Sequence, residues 1–196
     1  MLSFFGKSSH ASQPENGHNP ARAISKLIID IPELTAREDH RGIVMATVVC
    51  VRIGEEAFGT NAGFGQLMLT IRAEFESELD ALDAEICARA RAYARQDGIT
   101  NVEIQYRDSF PETRNTPDAV AAVRKARLEC GLPEAHWDEP FRSSEDFGCY
   151  TKLTSGALFY IGCGTRHAKL HTREYDFNDE IIEPAVDMMF RLAQDA

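Results

Sequence analysis

The chain has 196 residues, of which 43% are hydrophobic and 27% are charged, and its formal net charge is -10. This composition is typical of a soluble globular protein with one domain or two small ones. The acidic balance disfavours nucleic acid and anionic membranes as partners, because both attract basic surfaces. No apolar run is long enough to span a membrane and residues 1–6 lack a secretion-signal pattern, so we expect a cytoplasmic protein.

Residues 1–110 alternate between strand and helix patterns. Strands are predicted from apolar or alternating runs at 1–7, 43–53, 66–75 and 102–106. One helix is predicted after Asn19 and Pro20, as N-cap and first helical residue, and a second over 79–96, ending before Gly98. An antiparallel four-stranded sheet with two helices on one face is the compact way to bury this pattern, which predicts an α+β domain.

The second half follows a turn-rich boundary at 110–117 and contains little strand pattern. Helices are predicted at 118–130, capped by Gly131, and over the short segment 143–150. A brief buried strand is predicted at 157–161. A terminal amphipathic helix over 180–193 has a predicted inner side of Ile181, Ile182, Val186, Met189 and Leu192. We therefore expect this half to be part of an α/β layer whose sheet is supplied by residues outside this half.

Five cysteines are scattered along the chain without a CxxC pair or a zinc-type Cys/His spacing. Because their number is odd, we expect buried or partly buried free thiols in a reducing compartment. The chain also lacks a Gly-rich phosphate loop and a G-x-S-x-G nucleophile elbow.

Three segments carry candidate chemistry, each with an ordinary structural alternative. His10 follows the first strand in a loop with glycine and proline at fixed distances, although such a histidine is often merely solvated. Glu145 and Asp146 start a short helix, where carboxylates also serve as N-terminal caps. His171 has acidic neighbours and resembles a metal ligand, with surface exposure as its alternative and His167 as its competitor.

Two further pairs have metal-site spacing in the wrong context. His136 and Asp138 have a His-x-Asp spacing but fall in a loop rather than after a core strand. Glu55 and Glu56 form a carboxylate pair in a predicted hairpin turn. We interpret both pairs as chance.

Several of these motifs occur together in the order typical of one metallopeptidase family. The segment 6–15 with Asn19-Pro20-Ala21 resembles the entry to the lid domain of hippurate hydrolases, N-acyl-amino-acid amidohydrolases, auxin-conjugate hydrolases and glutamate carboxypeptidase. The strand at 69–72 resembles the one that follows the lid hairpin. Asn115, the segment 144–147 and the segment 170–179 resemble the return into the catalytic domain. The resemblance spans essentially the whole chain.

The resemblance implies roles for individual residues. His171 matches the last metal ligand, and His10 matches a lid histidine that reaches a dimer partner's active site and stabilises an oxyanion. Asn61 loosely matches a lid asparagine near the substrate, although the following Ile-Pro is absent here. Glu145 and Asp146 match a substrate-bordering motif. The family reaction is hydrolysis of an amide in an N-acyl amino acid or small peptide-like substrate, by a pair of divalent metals such as zinc, manganese or cobalt.

The resemblance also implies a division of the chain into two domains. Residues 1–110 correspond to a ferredoxin-like lid and dimerisation domain with βαββαβ order, and residues 111–196 to the C-terminal piece of an α/β catalytic domain. In this family the other metal ligands and the general-base glutamate precede the lid, so we expect this sequence to correspond to a C-terminal fragment that is inactive alone and binds no metal tightly. Homodimerisation through the lid and association with an N-terminal catalytic half are the expected partnerships.

Two alternatives stay open beside this enzyme-part hypothesis. The first is a non-catalytic dimerisation or binding module derived from such an enzyme. The second is a self-sufficient hydrolase that builds a metal site from His167, His171 and nearby acids.

Overall fold

The chain divides into two compact units, Met1–Ser109 and Phe110–Ala196, in a computed structural model. The structure describes residues 1–135, 137–165 and 167–194. Each unit is described by itself below.

Four strands of the first unit form one antiparallel sheet, and two short strands form a separate ribbon. In chain order the strands are β1 (Leu2–Phe5), β2 (Ser9–His10), β3 (Val44–Ile53), β4 (Thr60–Asn61), β5 (Phe64–Ala73) and β6 (Asn101–Ile104). The four-stranded sheet has the order β3-β5-β1-β6, and β2 pairs with β4. Each neighbouring pair in the large sheet is antiparallel, which confirms the predicted α+β class with a four-stranded antiparallel sheet.

Two helices supply the other side of the core of the first unit. Helix α1 spans Ala21–Thr35 and helix α2 spans Glu76–Gln96. Asn19 Oδ1 accepts a hydrogen bond from the Ala21 backbone N–H at 2.9 Å, so the predicted cap residue does satisfy the first turn, although the helix begins one residue later than predicted. Phe4, Leu27 and Leu67 are fully buried in the resulting cluster.

Strand β3 carries an irregularity that the sequence pattern does not reveal. It runs beside β5 from the Val44–Ala73 pair to the Ile53–Gly65 pair, with a register shift between Val48 and Cys50. The extra residue, Val49, is 62% exposed. Such a bulge bends the strand and increases its twist, and β3 is an edge of the sheet.

The second unit is built from helices and extended segments. Its helices are α3 (Pro117–Glu129), α4 (Gly148–Thr151) and α5 (Ile182–Gln194), the last preceded by a 3-10 turn at Asp179–Ile181. The helix predicted over 143–150 is therefore limited to its last residues. The strand predicted at 157–161 is wrong, because no backbone in the described part of the chain pairs with it as a strand.

A side chain takes the place of that missing strand partner. Asn115 Nδ2 donates to Leu158 O at 2.9 Å, and Asn115 Oδ1 accepts from Leu158 N at 2.9 Å. Two residues before Leu158, Gly156 O accepts a hydrogen bond from the Thr116 N–H at 2.9 Å. The segment is therefore held by the Asn115 side chain and by Thr116 rather than by a sheet.

Most residues of the inner side predicted for the terminal helix are not covered by other described residues. Ile182 is 50% exposed, Val186 is 61% exposed and Met189 is 59% exposed. Met188 is instead the buried residue of α5. The amphipathic pattern identified an apolar face, but the described residues do not cover it.

All five cysteines are free thiols, as predicted, although Cys149 is exposed rather than buried. Among the described residues, no helix combines the length and the apolar character that crossing a membrane requires.

Candidate functional site

His10 lies on a two-stranded ribbon beside the main sheet of the first unit. Strand β2 pairs with β4 so that Ser9 lies opposite Asn61 and His10 lies opposite Thr60. The Ala11 N–H extends the pairing by donating to Gly59 O at 2.9 Å, and the Gln13 N–H closes a turn by donating to His10 O at 2.9 Å. The histidine is therefore held by backbone hydrogen bonds on both sides.

Glycines allow the strands around this ribbon to cross at very short range. Gly6 N donates to Gly63 O at 2.7 Å, and Lys7 forms a two-way backbone bridge with His18 at 3.1 and 2.8 Å. A Cβ atom at Gly6 would collide with the His18 carbonyl, and one at Gly63 would collide with the Ser8 amide. The fixed glycine that the sequence showed before His10 is thus required by close approach of two backbones.

The orientation of the His10 ring follows from its contacts with Ser12. The Ser12 backbone N–H donates to His10 Nδ1 at 3.1 Å, and Ser12 Oγ lies 2.7 Å from the same nitrogen. A backbone amide can only donate, so Nδ1 is the acceptor and neutral His10 carries its proton on Nε2. The side chain is exposed, and no described residue hydrogen-bonds Nε2. His10 therefore presents an N–H donor to solvent.

Asn61 supports this ribbon through its amide group. Its Nδ2 donates to Ser9 Oγ at 3.0 Å, while its Oδ1 accepts from Asn19 Nδ2 at 2.7 Å. Asn19 in turn caps α1 through Ala21. The side chain of Asn61 thereby ties the His10 ribbon to the start of α1, and its predicted contact with substrate stays a prediction.

Glu145 and Asp146 are exposed carboxylates just before α4 in the second unit. The capping residue of α4 is Phe147, and no side chain caps the helix. Asp146 contributes only its backbone carbonyl, which accepts from Cys149 N at 2.9 Å. The structure therefore does not support the alternative that the side chain of Glu145 or Asp146 caps α4.

His171 is exposed in the second unit and has a backbone φ of 64°. Few residues other than glycine adopt this left-handed conformation, which is enriched at functional positions. His171 lies in a turn that is closed by Thr172. Both the N–H of Thr172, at 3.2 Å, and its hydroxyl, at 2.7 Å, donate to Lys169 O. His167 is also exposed, and its Nδ1 lies 2.9 Å from Ala168 O.

A metal site is not completed by the residues that the structure describes. Across residues 1–135, 137–165 and 167–194, no group of three or more His, Cys, Asp or Glu side chains is placed to hold an ion. His171 and its acidic neighbours therefore do not fit a two-metal centre by themselves, and the makeshift site with His167 is not assembled. Glu55 and Glu56 are exposed between β3 and β4, while His136 lies outside the described residues.

Sequence reasoning missed two contacts that set the geometry around His10. Ser12 fixes the tautomer, and Asn19 links the ribbon to α1 through Asn61. A serine two positions after a histidine is the available signal for the first contact. The second contact joins residues 42 positions apart and has no local signal.

A comparison with family models places the chain in a family of peptidases. A family model described as Peptidase family M20/M25/M40 matches residues 10–195. Because this match covers nearly the whole chain, the chain belongs to that family. The family resemblance predicted from the sequence is confirmed.

Individual relatives agree with this assignment. The chain is 23% identical to the hippurate hydrolase of Campylobacter jejuni over 98% of its own length and 50% of that protein. It is 26% identical to the N-acetyldiaminopimelate deacetylase of Bacillus licheniformis, over 96% of this chain and 50% of that protein. The chain thus spans about half the length of the curated relatives that it matches.

A solved structure shares the fold of the chain. The Bacillus subtilis YXEP protein, described as a dinuclear metal binding peptidase of this family, aligns with a TM-score of 0.71 at 17% identity. The alignment covers 98% of this chain and 49% of that one.

Proposed function

We propose that this chain is the lid and C-terminal part of a metal-dependent amidohydrolase that cleaves the amide bond of an N-acyl amino acid or a small peptide-like substrate. Family membership supports the reaction class. The substrate class is supported by the relatives named hippurate hydrolase and N-acetyldiaminopimelate deacetylase, since both names denote N-acylated amino acids. A cytoplasmic location is part of the same proposal.

The observation that carries the proposal is the fixed Nε2–H donor of His10. Hydrolysis of an amide places negative charge on the former carbonyl oxygen, and a preorganised N–H donor stabilises that charge. The Ser12 amide selects the donor tautomer, and the ribbon holds the ring outward. His10 is therefore suited to act on an amide supplied by a second subunit, with Asn61 holding the ribbon and bordering the substrate.

His171 is proposed as one ligand of a pair of zinc, manganese or cobalt ions. Its left-handed backbone and exposure support this role, since the imidazole is directed by a tight turn rather than buried in a core. The remaining ligands would come from an N-terminal catalytic half, because the described residues form no group of three ligands. Glu145 and Asp146 are proposed to border the substrate as exposed carboxylates. The chain alone is then expected to be inactive.

Two surfaces support the proposed partnerships. In the second unit, the apolar face of α5 is open, as expected if another domain packs against it. In the first unit, β3 is a ten-residue edge strand, which supports homodimerisation by strand pairing.

The first test is the metal content of the purified chain, by elemental analysis with intact mass on the same sample. We expect no stoichiometric zinc, manganese or cobalt. Near-stoichiometric metal in a chain of unchanged mass would contradict the proposal that ligands come from elsewhere.

The second test is hydrolysis of hippurate and of N-acetyl amino acids by the chain assembled with an N-terminal catalytic half. His171→Asn keeps a residue that tolerates the left-handed turn but removes the imidazole, and should abolish activity. His167→Asn is the matched control and should retain it. His10→Ala should lower kcat by about 100-fold with little change in metal content. Full activity in His171→Asn would refute the ligand assignment.

A non-catalytic dimerisation or binding module is the second candidate. It is favoured by the contrast between the complete core of the first unit and the absence of a three-ligand group among the described residues. A stable homodimer that gains no hydrolase activity with any catalytic half would support this candidate over the enzyme.

A further inference from the structure

Strand β6 leaves one side of its backbone open for pairing. Gln105 exchanges two hydrogen bonds with Met1, at 2.9 and 2.8 Å, just beyond the end of the strand. In an antiparallel pair such contacts alternate, so Glu103 and Asn101 also face β1, and the N–H and C=O groups of Val102 and Ile104 point away from it. Within the described part of the chain, no strand pairs with that outer side.

A cleft with two arginines lies at the start of this open edge. Its volume is about 200 Å³, and it is lined by Arg91, Arg95, Ile99, Thr100, Asn101 and Val102. Both arginine side chains are on exposed positions of α2, one helical turn apart. The cleft therefore places two cationic groups near Val102, the first outward-facing residue of the open edge.

Three other arginines of the first unit have acidic partners, whereas these two have none among the residues that the structure describes. Arg22 pairs with Asp97 at 3.5 Å, Arg37 with Asp39 at 3.3 Å and Arg89 with Asp30 at 2.9 Å. Among the described residues, neither Arg91 nor Arg95 has an ion pair. In a chain with a net charge of -10, two adjacent unpaired arginines are a local positive site.

The spacing of the two arginines fits the repeat of a β-strand. Residues four apart on a helix lie about 6 Å from each other along its surface. Alternate residues of a strand point to the same face and lie about 6.6 Å apart. A strand added beside β6 would thus bring two side chains, at positions i and i+2, next to Arg91 and Arg95.

We propose that this edge, defined by Arg91, Arg95 and Asn101–Ile104 and named the β6 edge, binds an extended acidic peptide as an added strand. The backbone groups of Val102 and Ile104 pair with the peptide, and two carboxylates at alternate peptide positions pair with Arg91 and Arg95. Backbone pairing supplies a general affinity for extended chains. The two arginines select for acidic residues at the required spacing, because a neutral peptide leaves them unpaired.

Fluorescence anisotropy of the full chain with a labelled peptide of alternating threonine and glutamate tests the proposal. We expect saturable binding at low salt that weakens as salt is added. The same peptide with glutamine in place of glutamate should bind about tenfold more weakly, since two exposed ion pairs are lost. A peptide with N-methyl groups on the residues that face β6 keeps its charge but cannot form the ladder, and should not bind.

Variants of the protein locate the site. Arg91→Gln and Arg95→Gln should each weaken binding of the glutamate peptide by about threefold. Arg52→Gln, on the other edge strand β3, removes the same charge and should leave the affinity unchanged. Equal binding of the glutamate and glutamine peptides, equal binding of the N-methylated peptide, or an effect of Arg52→Gln as large as that of Arg91→Gln would overturn the proposal.

Discussion

The two units of this chain bury apolar side chains to very different extents. Thirteen buried residues of the first unit form one cluster between the sheet and its two helices. In the second unit only Ala126 and Met188 are buried hydrophobic residues among those described. Large apolar side chains such as Leu153 and Phe190 are instead 86% and 60% exposed. A similar proportion of apolar residues thus produces a closed core in one unit and an open surface in the other.

The difference shows what a local sequence pattern can and cannot determine. Helix α2 has a weak amphipathic pattern, yet its apolar face is covered because α1 and the sheet belong to the same unit. Helix α5 has a strong pattern, but its apolar face has no covering element among the described residues. Burial therefore depends on whether the covering surface is part of the unit.

The largest expected effect comes from a core substitution in the first unit. Phe4→Ala removes a fully buried ring and should lower the free energy of unfolding by about 3–5 kcal/mol. Phe190→Ala in the second unit removes a ring that is 60% exposed and should cost less than about 0.5 kcal/mol. Urea denaturation measures both. Equal losses would remove the distinction between the units.

A change of the open face of α5 should reduce the affinity of the chain for hydrophobic dyes. The triple variant Ile182→Gln, Val186→Gln, Phe190→Gln replaces an exposed apolar stripe and should lower dye fluorescence and self-association about threefold or more. The control variant Glu183→Gln, Asp187→Asn, Arg191→Gln changes the polar face and should leave both unchanged. A dye-negative monomer before any substitution would contradict the prediction.

A smaller effect is expected where a side chain replaces a strand partner. Asn115→Ala removes two hydrogen bonds to Leu158 and should destabilise the second unit by about 1 kcal/mol. Hydrogen exchange at the Leu158 amide should become about fivefold faster, because its acceptor is lost. Arg114→Ala, at the exposed neighbouring position, serves as the control. Unchanged exchange would mean that the segment is held by other contacts.

The smallest effect concerns pH and lies in the first unit. His40 Nε2 contacts Leu34 O at 2.7 Å and Nδ1 contacts Glu78 at 2.9 Å, so both nitrogens donate only when the ring is protonated. The backbone carbonyl of Leu34, followed by Glu78, raises the pKa of His40 above its usual 6.5. The hydrogen bond from His40 in turn lowers the pKa of Glu78 below 4.5.

The signs of these shifts define the pH window of the contact. The raised pKa of His40 gives stability that is complete below pH 6.5 and lost as pH rises through the raised value. The lowered pKa of Glu78 gives stability that is complete above pH 4.5 and lost as pH falls through the lowered value. Urea midpoints at about pH 5.5 and about pH 8.5 should therefore differ for the native chain and converge in His40→Gln. In the control His167→Gln the pH dependence should persist. A pH dependence that also persists in His40→Gln would contradict this assignment.

Much of the first unit could be predicted from the sequence because its patterns are covered within the unit. The alternation of Leu67, Leu69 and Ile71 predicted β5, and the helical spacing of Ile24 and Leu27 predicted α1. The bulge at Val49 could not be predicted, since it depends on how β3 aligns with β5. In the second unit, the strand predicted at 157–161 failed because an apolar run does not indicate whether a neighbouring strand exists.

The residues of the candidate site were proposed from the sequence and their roles stay a prediction, whereas their local geometry could not be predicted. The glycine before His10 and the position of His171 were both visible in the sequence. The tautomer of His10 was not, because it depends on a turn that brings the Ser12 amide back to the ring. The left-handed backbone of His171 had no sequence signal, since the glycine or asparagine that usually marks such a turn is absent at that position.

The Ser12 contact also bears on the order in which a site of this kind is put together. A histidine that is free to exchange its proton between two nitrogens must select one form when a ligand arrives, and that selection weakens binding. Here the selection is made by residues two positions apart on the same ribbon. The donor is thus ready as soon as the first unit folds, independently of metal, substrate or partner. Any molecule that binds to this ribbon therefore contacts a hydrogen-bond donor whose tautomer is already set.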